Sequence, residues 1–121
     1  MPEPSRALTD RELAVLSFMV EHGTPAGVHV DDADRARWHA QLASTRAGRP
    51  CGCGTCPSVE LTDADGVTPQ ADGRRVVLEA QTDEALLLLF VDDDRPSYLE
   101  LAPLGDRTFD AFPEPADLRT G

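Results

Sequence analysis

Lysine is absent from this chain: eleven of its 121 residues are basic, and all eleven are arginine. With fifteen alanines, this is the residue usage of a GC-rich genome and carries no functional information. No apolar run approaches the roughly 20 residues that a membrane-spanning helix requires. The opening residues Met1-Pro2-Glu3-Pro4-Ser5-Arg6 have neither the basic segment nor the apolar stretch of a secretory leader. Both absences predict a cytoplasmic protein. There is also no G-x-S-x-G elbow, P-loop, G-x-G-x-x-G or H-E-x-x-H, so the sequence points away from an enzyme and nominates no catalytic residue. Cysteine is scarce, with three residues confined to positions 51–56. A secreted disulfide framework usually has an even number spread along the chain, so these thiols are expected to start out reduced. No repeat or linker interrupts the sequence, and residues 1–121 are read as one domain.

Acidic charge is abundant. Twenty-two acids against eleven arginines leave a net charge of −11, and the excess lies late in the chain. Residues 1–50 carry six arginines and seven acids, whereas residues 51–121 carry five and fifteen. That field opposes nucleic-acid phosphates and anionic lipid, so neither nucleic acid nor membrane is an expected partner. It favours a basic protein, although the same charge also serves as a solvated face that keeps the protein soluble.

Local signals divide the chain. Thr9-Asp10-Arg11-Glu12 is a capping box with Leu8 and Leu13 as a hydrophobic staple, and Gly23-Thr24-Pro25 is a stop. A first helix over about 10–22 follows, with Leu13, Val15, Leu16, Met19 and Val20 facing the core. Asp31 caps a second helix, expected over about 31–47. Its alanine stripe (Ala33, Ala36, Ala40, Ala43, Ala47) would lie against the first helix, and Trp38 and Leu42 would lie on the sheet. An alternative leaves Trp38 exposed as a binding anchor. A cysteine turn over 50–57 leads into strand-like segments at 58–62, 74–81, 85–91 and 97–102, joined by short polar turns. The expected fold is α+β: two helices on one face of a four-stranded antiparallel meander (58–102), with an irregular tail (103–121). The segment Leu86–Val91 is apolar on both faces, so its second face should be covered by the tail, through Phe109 and Phe112, or by a second subunit. The chain is accordingly a monomer or a homodimer.

The one concentrated chemical signal is Cys51-Gly52-Cys53-Gly54-Thr55-Cys56-Pro57, three thiols on a glycine-rich turn. A C-x-C-x-x-C turn supplies three of the four ligands of a tetrahedral zinc, leaving the fourth to a carboxylate or to His22, His29 or His39, with His39 preferred. Cys53-Gly54-Thr55-Cys56 is also a C-x-x-C, the spacing of redox pairs, but it leads into a strand rather than a helix. Small half-buried thiols with no function are the third reading. Asp63-x-Asp65-Gly66, with Asp72 beyond, matches a calcium loop only in part.

The order of helix, glycine stop, helix, C-x-C-G-type turn running into Pro-Ser and a strand, then an apolar strand and a Leu-Glu strand, resembles a group of small uncharacterised bacterial proteins of actinobacterial type. The resemblance spans residues 8–104 and implies fold rather than activity. Thr55 departs from that group's tighter turn.

Two functions follow as expectations. The first is a non-enzymatic acidic protein-binding module of the immunity or regulatory kind, meeting a basic partner through Asp92, Asp93, Asp94 and Glu84, with Trp38 as a further contact. The second is a cysteine-centred site: zinc held by Cys51, Cys53, Cys56 and His39, or thiol redox chemistry. Apart from that zinc, no cofactor is expected.

Overall fold

The computed structural model describes residues 5–53, 56–69 and 73–120. Gly54, Thr55 and Asp72, which belong to the motifs above, lie outside the described residues. Helix α1 (Asp10–His22) starts at Thr9, whose hydroxyl accepts the Glu12 amide while the Glu12 carboxylate accepts the Thr9 amide. Gly23 ends it for a reason the sequence does not display. Its φ of −56° is open to any residue, but a Cβ there would come within 2.6 Å of the Met19 carbonyl oxygen and 2.8 Å of the Leu78 Cβ. The glycine thus permits close approach of helix and sheet.

Helix α2 (Asp32–Gln41) begins at Asp31, which forms a capping box with Asp34. It stops about six residues earlier than expected. The hydroxyls of Ser44 and Thr45 both donate to the Gln41 carbonyl, a local alternative to the helical ladder, and a 3₁₀ turn (Leu42–Ser44) takes over. Residues Arg46–Pro50 are a strand, with Ala47 buried in the core. The alanine stripe does not pack on α1: Ala33, Ala36, Ala40 and Ala43 are exposed. One side chain anchors the helix instead. Trp38 is fully buried, which is worth about 5 kcal/mol for ~200 Å² of aromatic surface. Arg35 ties α2 to α1 by donating to the Val20 and Gly23 carbonyls.

The four-stranded meander is also overturned. The strands are β1 (Arg6–Ala7), β2 (Thr24–Pro25), β3 (Arg46–Pro50), β4 (Val59–Thr62), β5 (Arg75–Gln81), β6 (Ala85–Asp92) and β7 (Arg95–Pro103). They form a seven-stranded antiparallel sheet in the order β1-β3-β4-β7-β6-β5-β2. Two features escape a linear reading. The two-residue strands β1 and β2 flank helices and cover the sheet edges, where unpaired backbone would otherwise invite association. Strand β4 pairs with β7 rather than with β5, its successor, so Glu60 faces Tyr98 and Val59 faces Leu99.

Alternation along β6 divides its two faces. Ala85, Leu87, Leu89 and Val91 are buried beneath the helices, together with Val76, Leu78, Leu99 and Leu101 of the neighbouring strands. Leu86, Leu88 and Phe90 point the other way and are half-buried. Phe109 and Phe112 do not cover them, since both pack with the buried core. The tail turns back toward α1, where Arg11 donates to the Phe112 carbonyl at 2.7 Å and Phe112 and Leu118 join the core. Arg119 then pairs with Gln81 beside β2. Among the described residues, no helix is long and apolar enough to cross a membrane.

Candidate metal-binding site

The connection between β3 and β4 holds the three cysteines. Pro50 has no N–H to give the sheet ladder, and the β3–β4 register shifts between Ala47 and Pro50. The chain leaves the sheet there and returns at Ser58, whose carbonyl accepts the Cys51 amide at 2.8 Å. Cys51 and Cys56 are half-buried, Cys53 is exposed, and none is in a disulfide. Their three sulfurs lie within 4.8 Å of one another, with Cys53 and Cys56 only 3.2 Å apart. These residues could hold a metal ion.

Two residues with no role in the sequence reading support the turn. Ser58 is buried; its hydroxyl accepts the Leu101 amide at 2.9 Å and lies 3.3 Å from the Cys56 sulfur, fixing that thiol against β7. Tyr98 borders the cluster because β4 lies beside β7. Burial, followed by the negative charge of Cys51, Glu100 and Cys56 and a hydrogen bond with Cys51, pushes its phenol up to about 12. It therefore stays neutral and can donate to a thiolate. No local signal in the sequence could have linked Tyr98 to a turn more than forty residues earlier.

The thiols also act on one another. The Cys53 amide favours the Cys51 thiolate, but hydrogen bonds with the Cys53 and Cys56 side chains, burial and the charge of Cys56 outweigh it. Cys51 consequently lies above the ordinary thiol range. A cation at this turn would reverse that balance at Cys51, because the ligand form of cysteine is the thiolate.

Comparison of the chain with protein-family models, curated proteins and solved structures finds no match. Its own residues therefore carry the functional argument.

The other residues singled out by the sequence fall elsewhere. His39 is on α2, paired with Glu21 at 3.2 Å, and among the described residues the group able to hold a metal contains the three cysteines and no histidine. Trp38 offers no contact surface, since it is 0% exposed and its indole N–H donates to Asp94 at 2.8 Å. Asp92 is buried, accepting from Arg75 at 2.7 and 3.1 Å and from the Ser97 hydroxyl at 2.6 Å. Asp93 and Asp94 form the two-residue turn between β6 and β7 at φ of +50° and +68°, a conformation aspartate tolerates and this hairpin type demands. Asp94 is also bound by Arg37, and Glu84 pairs with Arg107. Asp93 is exposed at the hairpin tip, and Glu84 is exposed at the opposite end of β6, so the four acids do not form one patch. Asp63 accepts the amides of Asp65 and Val67 and pairs with Arg95, so its carboxylate organises a turn.

Proposed function

We propose that the chain binds zinc at Cys51, Cys53 and Cys56. The observation that carries this reading is the convergence of three sulfurs within 4.8 Å on one surface turn. Tetrahedral zinc, with Zn–S of about 2.3 Å, spaces its sulfurs about 3.8 Å apart, so sub-ångström to ångström shifts of side chains suffice. Thiolate sulfur suits zinc and softer metals and disfavours magnesium and calcium. With three protein ligands, a fourth position remains for water or an outside donor.

The site is peripheral to the core, which contains none of the three cysteines. Metal loss should therefore loosen the β3–β4 turn without unfolding the sheet. The acidic end of the sheet is the weaker lead, because the charges of Asp92 and Asp94 are already balanced by Arg75 and Arg37 within the chain.

The test is titration of reduced, metal-free protein with zinc against a chromophoric chelator, with cobalt as a spectroscopic substitute. One zinc per chain and an intense thiolate-to-cobalt absorption are expected. The C51S/C53S/C56S variant should lose both while keeping the wild-type far-ultraviolet circular dichroism. Zinc uptake that persists in that variant would refute the assignment.

A further inference from the structure

The three sulfurs are not equivalent. Cys53 is exposed and its sulfur lies 3.2 Å from that of Cys56, closer than the roughly 3.8 Å between two thiolates on one tetrahedral zinc. A disulfide bond is about 2.05 Å long, so this pair must close by little more than an ångström. Cys56 is oriented by the buried Ser58 hydroxyl, while Cys51 is half-buried and hydrogen-bonded to Tyr98. One thiol of the pair therefore meets solvent and the second waits beside it. The third, Cys51, is shared between Tyr98 and the two other thiols.

We propose that Cys53 and Cys56 are an oxidation site: a hydroperoxide converts them to a disulfide, leaving Cys51 as a thiol, and in the metal-loaded protein this ejects the metal. The second half rests on the zinc reading above. In the first step the Cys53 thiolate attacks the peroxide, an S–O bond forms, the O–O bond breaks, and the departing oxygen leaves as water or an alcohol after taking a proton. In the second step the Cys56 thiolate attacks the resulting sulfenic acid, an S–S bond forms, and hydroxide leaves and is protonated to water. Two thiols lose two electrons and the peroxide gains them. A zinc deprived of two of its three thiolates is left with Cys51 alone and departs unchanged as a divalent ion.

The experiment treats zinc-loaded wild-type protein with hydrogen peroxide in the presence of a chromophoric chelator. Samples are quenched in acid, alkylated, reduced, alkylated with a second reagent and sequenced by tandem mass spectrometry. One zinc should appear for every two thiols lost, with the second label on Cys53 and Cys56 and the first on Cys51. Metal-free wild-type and C51S proteins should give the same Cys53–Cys56 linkage. A dominant linkage through Cys51, a disulfide between chains, or retention of zinc after the two thiols are oxidised would overturn the proposal. If the reduced protein takes up no zinc, the metal reading fails by itself, and the label map of the metal-free protein still decides the pair.

Discussion

Replacing Asp94 by alanine removes three side-chain hydrogen bonds, two from Arg37 and one from the indole of Trp38. The indole is the costly loss. Trp38 is fully buried, and an N–H left without an acceptor there costs about 1–2 kcal/mol even where water partly replaces the carboxylate. The Arg37 pair is more than a third exposed on both sides and adds little. Alanine at φ of +68° gives up the local hydrogen bonding that lets aspartate occupy that region, for about 1 kcal/mol more. The sum is about 2.5 kcal/mol, or about 1.7 M in urea midpoint for a slope near 1.5 kcal/mol/M. Asp94→Asn keeps an acceptor and a residue at ease with positive φ, so its loss should stay below about 1 kcal/mol. Urea unfolding followed by circular dichroism and by the fluorescence of Trp38, the sole tryptophan, measures both variants. If Asp94→Ala matches wild type within about 0.5 kcal/mol, the hairpin tip is a solvated turn and not a clamp on α2.

Two further outcomes are expected. Burial raises the Asp92 carboxyl, but hydrogen bonds from Arg75 and Ser97 and the Arg75 charge lower it further, to a net value below the ordinary 3.8. A depressed folded-state value contributes stability that is complete above the unfolded value and is lost as pH falls through the folded one. Asp92→Asn should thus flatten the acid limb of a urea-midpoint profile below pH ~4, and an unchanged limb would show that other groups set it. Gly23→Ala should cost about 2 kcal/mol in the same assay through its clash with Met19 and Leu78, since its dihedral is open to alanine; a neutral result would mean that helix and sheet can separate without penalty.

Hydrogen bonds between near neighbours were legible in the sequence. The capping box at Thr9, the cap at Asp31, a polar turn after Val91 and the cysteine cluster all depend on residues within a few positions of one another, where residue type alone limits the geometry. The continuous apolar run Leu86–Val91 identified a strand but not which neighbours it would have or what would cover its second face. The end of α2 was misread because alanine spacing favours a continued helix, while Ser44, Thr45 and the buried Ala47 commit the chain to a strand.

The sequence by itself determined where helices start, where hairpins turn and which residue type could hold a metal, because each depends on short-range chemistry. Only the tertiary structure placed β4 beside β7, and with that pairing brought Ser58 and Tyr98 to the thiols. It likewise turned Asp92 and Asp94 from apparent surface charges into partners of Arg75, Arg37 and Trp38. Strand order is decided by which arrangement buries the most apolar surface for the least loop-closure cost, a property of the whole chain that no local window contains.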